Sequence, residues 1–143
     1  MKVTEVRIKL AQKSGPDDRL LGFATIVLDN ELIIRELRVI DGKKGIMVSM
    51  PSRRILHRCD RCGGKNDQMA AFCGHCGRRF PLRDRSILDD TEKPQMFVDV
   101  CHPVRKCLRD EIHASVIHAY RMELIKASKP GYECTYYQRN VAC

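Results

Sequence analysis

The chain has 143 residues, 43% of them hydrophobic, with a formal charge of +8 and eight cysteines, which suits one modest core with a small module attached. No apolar run approaches the roughly 20 residues of a membrane helix; the best candidate, LLGFATIVL, has nine and contains Gly22 and Thr25. The opening MKVTEVRIKLAQ alternates charged and apolar residues where a signal peptide needs a continuous apolar stretch, so a soluble, cytoplasmic protein is expected.

Residues 3–10, VTEVRIKL, set Val6, Ile8 and Leu10 against Glu5, Arg7 and Lys9, the period-two pattern of a half-exposed strand. A turn cluster, KSGPDD, leads to residues 20–28, apolar on both faces and expected as a buried strand. A tight turn at Asp29 and Asn30 precedes a third strand at 32–40, and DGKKG precedes a fourth, IMVSM. Four strands joined by short links predict an antiparallel meander. Pro51 ends this pattern. Residues 53–95 are polar and arginine-rich and read as an insertion into a core formed by 1–52 and 96–127. MFVDV at 96–100 reads as a fifth strand, and Pro103 is well placed to open a helix running to Ala127. Val104, Leu108, Ile112, Val116, Tyr120 and Leu124 mark its apolar stripe, with Arg105, Arg109, Glu123 and Lys126 mostly elsewhere. Residues 128–143 form a tail without clear period, expected as a short strand or a mobile end. The fold class expected is α+β: an antiparallel β-meander packed with one C-terminal α-helix, carrying an inserted zinc-ribbon module. One helix covers one face of a sheet, and the second and third strands are apolar on both, so a second copy of the chain is the simplest cover for the other face.

Within the insertion, Cys59 and Cys62 are separated by two residues, as are Cys73 and Cys76. Two such pairs suit one tetrahedral zinc ion, because a two-residue gap lets the backbone wrap until both thiolates reach the metal. Gly63 and Gly77 follow the pairs and allow the tight turn that aims backbone N–H groups at sulfur. A redox dithiol fits poorly, since a thioredoxin-type pair needs a βαβ setting, and a reducing cytosol disfavours disulfides. His75 lies inside a knuckle where four sulfurs already suffice. Four thiolates leave no open position for a reactive water, so the expected ion, one per chain, is structural. Met69, Phe72 and Phe80 are the chief apolar residues of this segment, too few to fold it without metal, and Phe72 and Phe80 are expected as its miniature core. Cys101 and Cys107 are expected as buried free thiols rather than a second metal site, and Cys134 and Cys143 follow no ligand spacing.

Between Arg53 and Arg85 nine Lys or Arg stand against three Asp, a surplus of six, so positive charge is concentrated on the cysteine-bearing part of the insertion. The thiolates and one zinc ion together subtract about two. Arg53, Arg54, Arg58, Arg61, Lys65, Arg78 and Arg79 are the candidate phosphate-binding residues, because guanidinium forks match phosphate oxygens. The competing reading is a solvated face that serves solubility alone.

The flanking text MKVTEVRIK, FATIVLDNELIIRELRVIDGKKGIMVSMPSRR, FVDVCHPV and IHASVIHAYR resembles the stage V sporulation protein G (SpoVG, septation regulator) family. RVIDG, MPS followed by basic residues, and HP before the helix are the family-like motifs. The resemblance implies a small α+β protein, dimeric through its sheet, that binds DNA and RNA and regulates in bacteria. The family's basic stretch after MPS, associated with nucleic-acid contact, carries over to Arg53 and Arg54. Family members usually join that stretch to the helix by a short polar loop; here the connection from Ser52 to about Gln95 holds the ribbon.

The function expected is therefore a non-enzymatic, dimeric DNA- or RNA-binding regulator, with no membrane and no small-molecule substrate. The alternative is a protein-interaction module whose ribbon docks on an acidic partner. His102, His113 and His118 have no nucleophile or paired carboxylate beside them, and a five-residue spacing does not put His113 and His118 on one helix face, so catalysis is not expected.

Overall fold

The structure is a computed structural model and describes residues 1–81 and 95–137. Arg83, Arg85 and Cys143 lie outside the described residues. The chain divides into two compact units, Met1–Pro51 with Cys101–Cys143, and Ser52–Val100.

The first unit holds the expected meander. Strands β1 (Val3–Leu10), β2 (Leu20–Leu28), β3 (Leu32–Gly42) and β4 (Gly45–Ser49) form one antiparallel sheet in sequence order. The β2–β3 turn places Asp29 at φ 50° and Asn30 at φ 58°, with the Glu31 N–H donating to the Leu28 carbonyl at 2.9 Å. Asp and Asn tolerate this left-handed backbone, which matches the twist of the flanking strands. Between the pairs Ala24 with Leu37 and Ile26 with Ile34 the register slips by one residue of β3, and Glu36 takes φ 64° there, a β-bulge.

Helix α1 (Lys106–Ala127) packs on the sheet, and Ile8, Ala24, Ile26, Leu28, Leu37 and Val39 form one core with its Ile112, Val116 and Tyr120. The expected stripe is corrected at both ends: Val104 is 93% exposed, Leu124 is exposed, and Glu123 is buried. A row spaced every four residues rotates by about 40° per step on a helix of 3.6 residues per turn. Leu124 therefore drifts off the face centred on Ile112, while Glu123 returns to it. Pro103 is buried ahead of the helix, whose N-cap is Arg105.

Glu123 accepts a hydrogen bond from the Tyr132 hydroxyl, which satisfies a carboxylate that would otherwise be costly to bury. That bond begins a series along the tail. The Cys134 thiol donates to the Ile8 carbonyl at 3.4 Å, Tyr136 is buried, and Lys9 lies 4.9 Å from the centre of the Tyr137 ring. Residues 132–137 are thus neither a strand nor loose; they line the helix and the β1 edge. Cys101 is half-buried and Cys107 exposed, which corrects the expectation of buried thiols: Cys107 falls on the outward face of α1, one residue before half-buried Leu108.

The second unit contains β5 (Ser52–Arg54) paired with β8 (Phe97–Asp99), and β6 (Leu56–Arg58) paired with β7 (Lys65–Asp67). MFVDV is a strand as expected, but it joins β5 rather than the meander, because its hydrogen-bonding partner is the segment that enters the insertion. Among the described residues no helix is long and apolar enough to cross a membrane.

Candidate metal centre and basic face

The two cysteine pairs fold into matching knuckles. In the first, the Cys59 N–H donates to the Gly64 carbonyl at 2.8 Å and the Gly63 N–H returns to the Cys59 carbonyl at 2.7 Å. In the second, the Cys73 N–H donates to Arg78 at 2.8 Å and the Gly77 N–H to Cys73 at 3.0 Å. Gly63 at φ 71° and Gly77 at φ 73° occupy the same left-handed corner of each turn, where a Cβ would be strained.

The turns bring the sulfurs of Cys59, Cys62, Cys73 and Cys76 within 4.8 Å of one another. Cys59 and Cys76 are 3.8 Å apart at sulfur, and Cys62 and Cys73 are 3.5 Å apart. These spacings are far too long for S–S bonds of about 2.0 Å. They match the edge of about 3.8 Å that four 2.3 Å bonds give a tetrahedron, so the four residues can hold one metal ion. His75 is not among them; its ring lies over Gly64, where an added Cβ would come within 2.3 Å of it.

Asn66, buried in β7, ties the knuckles together. Its Nδ2 donates to the Gly64 carbonyl at 2.9 Å and lies 3.5 Å from the Cys73 sulfur, while its Oδ1 accepts from the Gly74 N–H at 2.8 Å. The His75 N–H also points to the Cys73 sulfur, at 3.4 Å. Burial pushes the Cys73 thiol up, but the N–H groups of Cys76 and His75, the Asn66 amide and the Cys62 thiol outweigh it, and its pKa falls to about 6, while that of Cys62 is pushed up to about 12. The pair thus favours the Cys73 thiolate, one of those a metal requires. Sequence reasoning did not find Asn66. The available signal was an Asn inside a strand-length segment, where strands disfavour it.

Cys59, Cys73 and Phe80 form a small buried cluster flanked by Ala70 and Cys76. The Phe80 ring meets His57 edge-on at 4.5 Å. Phe72, 58% exposed, takes no part in it, which corrects the expectation that it would; Met69 is exposed as well. The physical reason is alternation: Phe72 bridges Arg79 in an antiparallel pair, so the two share the face opposite Phe80.

All seven predicted basic residues fall in this unit. Arg54 pairs with Asp67 at 2.8 Å, and Arg78 with Asp60 at 3.1 Å. Arg53, Arg58, Arg61, Lys65 and Arg79 are exposed and form no ion pair with a described residue. Arg58 and Lys65 are direct cross-strand partners. Like charges in that position repel, and a bound anion relieves the repulsion.

A family model described as SpoVG matches residues 1–122. A septation protein SpoVG of Macrococcus caseolyticus is 30% identical over 131 residues, covering 92% of this chain and 77% of that protein. Its counterpart in Archaeoglobus fulgidus is 30% identical over 120 residues, 84% of this chain and 94% of the relative. The Geobacillus thermodenitrificans protein of that name is 44% identical over 54 residues, 38% of this chain and 53% of its own length.

Proposed function

The chain belongs to the SpoVG family, and from that premise we propose that it is a non-enzymatic, nucleic-acid-binding regulator whose basic surface is enlarged by the inserted module. It acts in the cytoplasm as a homodimer holding one structural zinc ion per chain. The observation that carries the reading is the set of exposed cations on one small unit that form no ion pair with a described residue, with Arg58 directly opposite Lys65. Holding two like charges in register costs stability unless an anion sits between them, and a phosphate backbone supplies anions in series. Zinc suits four thiolates better than a hard cation such as magnesium, and its filled coordination sphere makes it a staple rather than a reagent. For the dimer, Ile33 and Met47 remain exposed on the sheet face away from α1, although Thr25 and Val27 on that face are already buried in one chain.

Affinity for DNA and RNA is to be measured against salt. If Arg53, Arg58, Arg61, Lys65 and Arg79 all meet phosphates, the slope of log K against log salt is about −4.5 for duplex and about −3.5 for single strands. Arg58→Ala and Lys65→Ala each reduce that slope by about one and weaken binding to all sequences alike. Undetectable or salt-insensitive binding to both nucleic acids refutes the reading. Nuclease-resistant capture of an acidic protein in its place supports docking instead.

A further inference from the structure

Building on that reading, we propose that the Ser52–Val100 unit stacks unpaired bases on two exposed phenylalanines, Phe72 beside Arg79 and Phe97 beside Arg54, so that its ligand is single-stranded nucleic acid. Phe72 is 58% exposed and Phe97 47%. Both sit in short antiparallel pairs directly across from an arginine, Phe72 from Arg79 and Phe97 from Arg54. Direct partners in such pairs project to the same face, so Phe72 shares a face with Arg79 and Phe97 with Arg54. The Arg54 guanidinium lies 5.7 Å from the centre of the Phe97 ring, and Asp67 holds it at 2.8 Å. Arg79 forms no ion pair with a described residue.

The exposure is not forced by a lack of interior. Phe80 fills the small core beside Cys59 and Cys73, whereas Phe72, eight positions earlier, is turned outward. An outward phenylalanine among arginines is a poor choice for solubility alone. It is well suited to a ligand that offers a flat apolar ring and a phosphate within one nucleotide: the base stacks on the ring and the cation takes the phosphate. A duplex buries its base faces against neighbouring pairs and offers this arrangement nothing beyond phosphates. An acidic protein segment would meet the arginines but gain little from the rings. Asp60 and Asp67 are each engaged by an arginine of the unit, and the five remaining cations form no ion pair with a described residue.

The test compares wild type with Phe72→Leu, Phe97→Leu and Arg79→Ala by fluorescence anisotropy. The probes are a DNA strand, an RNA strand of the same sequence, and the duplex of each. Leucine keeps an apolar side chain at an exposed position but removes the aromatic face, and an unchanged thiolate-to-cobalt absorption after metal substitution verifies that the knuckles are intact. Phe72→Leu is expected to weaken single-strand binding about 5- to 50-fold, with the salt slope unchanged and duplex affinity altered less than about twofold. Arg79→Ala weakens strand and duplex alike and lowers the slope by about one. The two single-stranded arms separate ribose from deoxyribose preference, and the stacking claim stands with either. If wild type binds nucleic acid but both Phe→Leu variants leave single-strand affinity unchanged, or weaken duplex equally, stacking is overturned and the proposed function survives. If wild type binds no probe at all, both fall together.

Discussion

Asn66→Ala should loosen the metal centre without touching a ligand. The side chain makes two backbone hydrogen bonds, to Gly64 and from Gly74, and its amide faces the Cys73 sulfur. Each neutral bond contributes about 1 kcal/mol net, and the donor to a thiolate somewhat more. Gly64 is half-buried and Gly74 exposed, so water replaces part of what is lost. A net cost of about 1.5–2.5 kcal/mol corresponds to roughly 10- to 70-fold weaker metal binding, within the range usual for groups that orient ligands. Asn66→Asp sharpens the test. It nearly preserves shape and keeps the acceptor for Gly74, but places a carboxylate against the Gly64 carbonyl and the Cys73 thiolate. If hydrogen-bond polarity matters, Asp is worse than Ala; if shape alone matters, Asp resembles wild type. Competition between the protein and a chelator of known zinc affinity, with cobalt absorption as a second readout, measures both variants. An Asn66→Ala affinity within twofold of wild type, or an Asp variant as tight as wild type, would refute the clamp.

Removing the metal should unfold the Ser52–Val100 unit and leave the meander intact, because the small cluster around Phe80 is too slight to fold alone and structural zinc supplies about 10–16 kcal/mol in small fingers. Limited proteolysis after chelation is expected to cut only between 52 and 100, and cleavage within the sheet or α1 would count against two independent units. Leu37→Ala, at a fully buried position against α1, should cost about 2–5 kcal/mol in denaturant unfolding; a loss under about 1 kcal/mol would contradict the packing described. The hydrogen bond to Glu123 raises the Tyr132 pKa to about 12, so the folded state favours the protonated phenol. The tail's anchorage by that bond is fully present below pH about 10, the ordinary tyrosine value, and is lost as pH rises through about 12. Burial and the nearby Asp41 also raise the Tyr120 phenol, so tyrosinate absorbance should show two late-titrating groups, and Glu123→Ala should return only Tyr132 towards about 10; an unchanged titration would exclude the contact.

Periodicity and spacing alone determined the meander, the helix at its end and the four cysteines that can hold a metal ion. Each of these is local: alternation places Ile8 inward, a 3.6-residue period places Val116 inward, and a two-residue gap with a following glycine bends a knuckle whatever surrounds it. Long-range pairing decided the rest. The strand at 97–99 carries no mark of its partner, and only the hydrogen bonds to Ser52–Arg54 assign it to the inserted unit. Glu123 looked like a surface charge until Tyr132 came back from the tail to meet it. Asn66 is one polar residue among many in the insertion, and its role exists only because two separate turns close around it. Phe72 and Phe80 have the same composition-level claim to a core, yet the small cluster beside two sulfurs takes in Phe80 alone, and the antiparallel pairing with Arg79 turns Phe72 to the surface. Side-chain chemistry is written along the chain, but which groups meet depends on closing loops whose ends are far apart in sequence, and that is a property of the folded molecule.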